Sequence, residues 1–198
     1  TTIVTFTGAG LGALVALVSP MLMEKAELGF INSITYLAAT VQLLVMVGTS
    51  ALVAVYTQRY APDDERRKAL LSIGLLVTTI SSIIFAIAFL LFKGPIIGMY
   101  NTADQALISE YYHYIPFVVL FMALGNIIEH YLIANMKVAQ PAFAKEIVLR
   151  LVNLSLLGFI YAGYLEFGQY IIGNVFMYIV PLTLFIFFAL RVQGFGIT

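Results

Sequence analysis

The chain has 198 residues, 62% of them apolar and only 10% charged, with zero formal net charge at pH 7. That is too apolar for an ordinary soluble domain, where about half the residues are apolar. So sparse and balanced a charge argues against nucleic acid, whose binding needs a concentrated basic patch. The lack of cysteine excludes a disulfide framework, a thiol nucleophile and a thiolate metal site, and two histidines, His113 and His130, are too few for a histidine-rich metal centre.

Residues 1–23, 28–58, 70–92, 111–128 and 167–190 contain no Asp, Glu, Lys or Arg, and a further run at 141–164 carries charge only near its start. A helix crosses the hydrocarbon of a bilayer with about 20 mainly apolar residues. Strands are excluded because an open sheet cannot span lipid and the runs lack the alternation of a barrel. The expectation is an all-α, polytopic bundle of six transmembrane helices, at about 2–22, 30–58, 69–92, 108–136, 141–164 and 167–191. Its first partner is the lipid bilayer.

The first predicted helix holds Gly8, Gly10 and Gly12, then Ser19 and Pro20. Glycines permit close helix approach and lower rigidity, and Pro20 removes a backbone donor. Tight packing and a flexible first helix that bends during a transport cycle are compatible readings. No basic segment precedes the run and no small-x-small cleavage site follows it, so it does not read as a signal peptide. The second helix, with 31 uncharged residues, is longer than a straight crossing requires and must tilt, project or begin with an interfacial turn. Pro62, Asp63 and Asp64 precede the third helix, where acids suit an N-terminus, and Gly94-Pro95 ends it. Residues 94–110 are expected to form the largest outer loop, with a surface-lying helical turn.

The fourth helix carries Asn126, Glu129 and His130, which share one face by i, i+3 and i+4 spacing. The fifth opens at Gln140-Pro141, with proline in the first turn, and brings Lys145, Glu146, Arg150 and Asn153. Counted from a turn near Ala139, Glu129 and Arg150 both lie about 15 Å along their helices, which predicts that they meet at one depth. Three readings stay open. Glu129 and Arg150 form a structural ion pair; or Arg150 pairs locally with Glu146 and snorkels; or Asn126, Glu129, His130, Arg150 and Asn153 form the polar floor of a substrate or ion cavity. Gln42, Gln169 and Asn174 are explained adequately by interhelical hydrogen bonds. Most tyrosines, Tyr56, Tyr60, Tyr112 and Tyr170 among them, fall near predicted helix ends, where their rings suit the headgroup level.

Orientation follows the positive charge. Arg59, Arg66, Arg67, Lys68, Lys137, Lys145, Arg150 and Arg191 fall on one side and only Lys25 and Lys93 on the other. The split places both ends of the segment in the cytoplasm, with Arg59, Arg66, Arg67 and Lys68 as a cytoplasmic basic loop. Neither a phosphate-binding glycine loop, a paired-histidine zinc helix nor a Gly-x-Ser-x-Gly elbow is present. The expectation is therefore no enzyme, no catalytic residue, no metal and no cofactor.

Three stretches carry a resemblance. They are the glycine-rich first helix, the Glu24-Lys25-Ala-Glu27-Leu28-Gly29 turn, and Gly48 through Arg59-Tyr60 before a charged loop; the hairpin at Pro141 followed by Arg150 agrees with them. Together they resemble the amino-terminal lobe of bacterial polysaccharide-biosynthesis membrane proteins. Those are O-antigen-type lipid-linked oligosaccharide flippases, of the superfamily that includes MATE exporters and the lipid II flippase. The resemblance implies one lobe of a two-lobe transporter of the bacterial inner membrane, working by alternating access. It implies a second transmembrane lobe as partner, so that this chain is a piece of a longer protein, and a polyprenyl-pyrophosphate-linked oligosaccharide as substrate. Arg150 is the only deep arginine, which disfavours the lipid II branch. A drug or cation antiporter of the same superfamily, with Glu129 as the coupling group, and a non-transporting six-helix scaffold are the competing readings.

Overall fold

The structure is a computed structural model that describes residues 2–61, 64–100 and 102–192. It is 86% helical, without strands among the described residues. The elements are α1 (Thr2–Leu22), α2 (Lys25–Val45), α3 (Thr49–Thr57), α4 (Glu65–Leu91), α5 (Lys93–Ile97), α6 (Thr102–Tyr111), a 3₁₀ turn (Tyr112–Tyr114) and α7 (Ile115–Ala134). Then follow α8 (Ala139–Phe143), a π-helical turn (Ala144–Val148), α9 (Leu149–Tyr161), α10 (Phe167–Phe176) and α11 (Ile179–Val192).

Among the described residues, five helical stretches are long and apolar enough to cross a membrane: α1, α2, α4, the run Gln105–Ala134 and the run Phe167–Val192. The predicted fifth helix is helical from Ala139 to Tyr161, but it is interrupted by the π turn and carries Lys145, Glu146 and Arg150. It is therefore not an unbroken apolar crossing helix.

Helix boundaries follow local chemistry. The predicted second helix starts early, at Lys25: the Glu27 carboxylate accepts the Glu24 N–H at 2.9 Å, so the expected Glu24–Gly29 turn is the capped first turn of α2. The same run breaks at Val47 and Gly48, with φ of 49° and 74°. Gly48 accepts this geometry freely, whereas β-branched Val47 is strained by it. The break is tied by Thr49, whose N–H and hydroxyl both donate to the Met46 carbonyl, at 2.8 and 2.5 Å. The excess length of this run is thus resolved by a break. Asp64 caps α4 by accepting the Arg66 N–H at 2.9 Å; Pro62 and Asp63 lie outside the described residues. Gly94-Pro95 does not terminate α4, which already ends at Leu91, but sits inside α5. Most of the expected outer loop at 94–110 is helical, as α5 and α6, with Asn101 outside the described residues.

The centre of the fold is α7. Val119, Ala123, Ile127 and Tyr131 repeat every fourth residue and are fully buried, a single buried ridge. Around it pack α2 through Ile34 and Ala38, α3 through Val53, α4 through Leu71, and α11 through Leu182, Phe185 and Ala189. Gly74 lets α3, α4 and α7 meet: a Cβ there would lie 3.0 Å from Val53 Cγ2 and 3.5 Å from Ile127 Cγ2. Buried Tyr112 stacks on Phe89 at 4.3 Å and donates its hydroxyl to the Phe89 carbonyl at 2.6 Å. It and Tyr170 are inside the protein, contrary to the headgroup placement expected of them. Their hydroxyls find partners on neighbouring helices, which removes the reason to face water.

The first helix lies apart from this core. Its neighbours are mainly α9 and the π turn. A second, smaller apolar cluster joins Met23, Leu157 and Tyr170 with Val15, Val18, Leu22, Leu156 and Ile160.

Candidate functional site: a cleft at the helix breaks

A small cleft of about 80 Å³ opens beside α7. Phe121, Met122, Gly125, Asn126 and Glu129 of α7 form one wall; Gln42 of α2 and Leu149 of α9 add to it; Tyr178, followed by Pro181, Leu182 and Phe185 of α11, closes the far side. Its floor is a salt bridge from Lys145 Nζ to Glu129 Oε2 at 3.0 Å. Glu129 is the more enclosed partner, its side chain 19% exposed against 51% for Lys145. The Asn126 side-chain oxygen is buried with no hydrogen-bond partner in the structure.

Broken helices shape this cleft. Lys145 stands on the π turn, in which the Leu149 N–H reaches back to the Ala144 carbonyl. Single π turns inside helices often sit at functional sites. Between α10 and α11, Pro181 has no N–H to offer the Met177 carbonyl, which instead accepts the Val180 N–H at 3.2 Å. Gln42 stands one turn before the Val47–Gly48 break. Irregular backbone within an apolar bundle is tolerated where protein buries it or where it lines a cavity.

The predicted Glu129–Arg150 pair does not form. Arg150 Nη2 bonds Glu146 Oε2 at 2.6 Å, and its Nη1 donates to the Gly8 carbonyl of α1. The error lay in the centre of the turn. The chain reverses at Met136, whose φ is 59°, between Ala134 and Ala139. Glu129 and Lys145 each stand eight residues from Lys137, so equal depth pairs Glu129 with Lys145. Consecutive positions on a helix diverge by about 100°. Lys145 and Leu149 accordingly face the cleft, while Glu146 and Arg150 face α1.

The other expected site residues fall in different places. Asn126 and Glu129 line the cleft; His130 does not, because it turns away from its neighbour on the helix. Asn153 is on α9, where its Oδ1 accepts the Tyr170 hydroxyl at 3.0 Å. Gly8 and Gly12 form one face of α1 against the Glu146–Arg150 pair. A Cβ on Gly8 would come within 2.7 Å of Glu146 Cβ, and one on Gly12 would overlap the Arg150 guanidinium. Gly10 is on the opposite face with nothing near it, so the three glycines do not act as one surface. Pro20 lies inside the last turn of α1 without ending it.

The basic loop is also divided. Arg59 lies over the Tyr56 ring at 4.9 Å and Arg66 over Tyr60 at 5.8 Å. Lys68 is half-buried. Arg67 is buried, with Nε donating to the Thr57 carbonyl at 2.7 Å. A cation there suits the carbonyl end of α3. Of the cleft lining, sequence reasoning assembled only Asn126 and Glu129; Gln42, Lys145, Tyr178 and Pro181 are among the residues it did not. A proline within an apolar run was the available signal, since its missing donor forces a break.

No family model, curated protein or solved structure matches the chain. Among the described residues, no group of three or more His, Asp or Glu side chains is placed to hold a metal.

Proposed function

We propose that the chain is the amino-terminal lobe of a transporter that moves a polyprenyl-pyrophosphate-linked oligosaccharide across the bacterial inner membrane by alternating access. In this reading the segment 139–161 is the sixth crossing. Its charges are tolerated because Lys145 meets Glu129 and Arg150 meets Glu146 and the Gly8 carbonyl, the pairing that intramembrane charges require. The end bearing Arg59, Arg66 and Arg191 faces the cytoplasm by the positive-inside rule.

The observation that carries the reading is the composition of the cleft. Its apolar lining, Phe121, Met122, Leu149, Leu182 and Phe185, suits an apolar chain, and its polar lining, Asn126, Glu129, Lys145 and Gln42, suits a charged polar head. An amphiphile needs both at one site. A cation-coupled exporter of the same architecture is the second reading, favoured by Glu129 as the single carboxylate in the cleft lining.

The test is complementation of a flippase-deficient strain by the full-length protein. The flippase reading expects surface glycan to be restored, and lost again in Lys145→Gln at normal membrane abundance. Failure to restore glycan, together with drug resistance that Glu129→Gln removes, would favour the exporter instead.

A further inference from the structure

The buried apolar residues fall into a main core and a smaller cluster, both of which draw on α2 and α10. The main core runs along α7 and takes in α2, α3, α4 and α11. In the smaller one α1 and α9 supply most of the apolar contacts, Val15, Val18 and Leu22 meeting Leu156, Leu157 and Ile160. Two further ties join α1 to the fifth predicted helix without involving α7: the Arg150 guanidinium donates to the Gly8 carbonyl, and Gly8 admits Glu146 at close range. The chain leaves this pair of helices at irregular points. Below α9 is the π turn at Ala144–Val148, and above it is a turn through Gly163, whose φ is 74°. Between α1 and α2 only Met23 and Glu24 intervene.

The bridge Lys145–Glu129 spans the root of this unit. Lys145 belongs to the π turn and Glu129 to α7. Their salt bridge is thus a link between the α1–α9 pair and the central helix, and it is also the cleft floor. On the far side α9 touches α10 through Asn153 to Tyr170 and through Leu156, which lies 2.9 Å from where a Cβ on Gly173 would sit. That contact is packed, with Leu156 seated against Gly173 beside the Asn153–Tyr170 hydrogen bond, and it is the contact that movement of α9 would have to shear.

We propose that α1 and α9 form one rigid arm that pivots at the π turn, with the Lys145–Glu129 bridge as its latch. Opening the latch swings both helices together and moves Leu149, the residue of α9 that lines the cleft, away from α7. Occupancy of the cleft floor by a group that competes for Lys145 or Glu129 would thereby be coupled to arm position, because a ligand shifts such an equilibrium only through its different affinity for the two states. This inference does not rest on what the protein transports.

The chain has no cysteine, so spin labels can be placed in pairs without background. Leu17 of α1, Phe159 of α9, Ile83 of α4 and Phe187 of α11 are all exposed. Pulsed electron–electron distances would be measured in the purified full-length protein in lipid for 17–159 within the arm, 83–187 within the body, and 17–83 and 159–83 between them. In Glu129→Gln, and independently in Lys145→Gln should the first variant fold poorly, the two arm-to-body distances are expected to shift together. That shift should exceed the width of the body distribution, with 17–159 unchanged. In Arg150→Gln, 17–159 should broaden while 83–187 holds. Unchanged arm-to-body distances in both latch variants would overturn the latch. A 17–159 distribution that broadens whenever the latch is cut would show that α1 and α9 are not one body.

Discussion

The helices α7 and α1 are both apolar and both about 20 residues long, 20 and 21 respectively, yet they are held in opposite ways. Eleven residues of α7 are buried, including a full ridge of aliphatic and aromatic side chains. Only Gly8 and Ser19 of α1 are buried, and Ile3, Phe6, Leu17 and Met21 point outward. In lipid there is no hydrophobic drive between helices, and association depends on close packing and hydrogen bonds. The body around α7 is held by a large packed core, whereas the arm adds a polar clasp to a small apolar cluster: two glycines, an arginine and a glutamate supplement the contacts of Val15, Val18 and Leu22. A packed core resists changes of volume, whereas a polar clasp on a glycine face resists changes of charge and of backbone approach.

The largest expected effect is therefore in the body. Ile127→Ala should leave a cavity where α3, α4 and α7 meet, lowering stability by about 2–5 kcal/mol, read as loss of melting temperature in detergent and in lipid. A loss no larger than that of an exposed substitution such as Leu17→Ala would mean that the body is not the rigid half of the molecule.

Arg150→Gln comes next. It strands Glu146 and frees the Gly8 carbonyl, and a hydrogen bond to a charged group contributes about 1.5–3 kcal/mol; since both side chains are about 30% exposed, the lower end is expected. Hydrogen exchange should speed up across α1 and α9 and not across α7. Uniform acceleration would erase the distinction between arm and body.

Glu129 and Arg150 should be energetically independent, because each has its own partner. A double-mutant cycle on Glu129→Gln and Arg150→Gln should be additive within about 0.5 kcal/mol, the tolerance for sites without shared partners. A cycle on Glu129→Gln and Lys145→Gln should show measurable coupling. The reverse pattern would restore the pairing that equal depth about Ala139 suggests.

That pairing shows where sequence reading is exact and where it is not. Helix positions were legible because long uncharged runs leave little freedom, and α1, α4 and α7 begin or end within a few residues of expectation. Asn126 and Glu129 line the cleft together as their i, i+3 spacing expects, whereas His130, assigned to the same face by its i+4 spacing from Asn126, is not in the lining. Partners across a hairpin were not legible. They depend on where the chain turns, and moving the turn from Ala139 to Lys137 changes the partner from Arg150 to Lys145. Nothing in the local pattern announced the left-handed Met136 or the π turn at 144–148. The burial of Arg67 was hidden for a similar reason: its partner is the Thr57 carbonyl, a backbone atom that no side-chain pattern encodes.

The smallest expected effect is at Gly10, and it discriminates most cleanly between the two faces of α1. Gly8 and Gly12 are four apart and share the face that meets Glu146 and Arg150, while Gly10 is two positions from each and so points to the other side. Gly12→Leu should displace the guanidinium and lower melting temperature by about as much as Arg150→Gln. Gly10→Leu adds a side chain into open space and replaces glycine with a better helix former, worth about 0.5–1 kcal/mol in an exposed helix interior. Its melting temperature should be unchanged or slightly higher. Complementation of a flippase-deficient strain, the assay of the proposed function, supplies the second readout. If Gly10→Leu melts normally but fails to complement, the open face of α1 is a docking face that the proposed function needs; if it melts normally and complements, that face meets only lipid. A fall in melting temperature equal to that of Gly12→Leu would require α1 to be rotated by about half a turn from its position against α9.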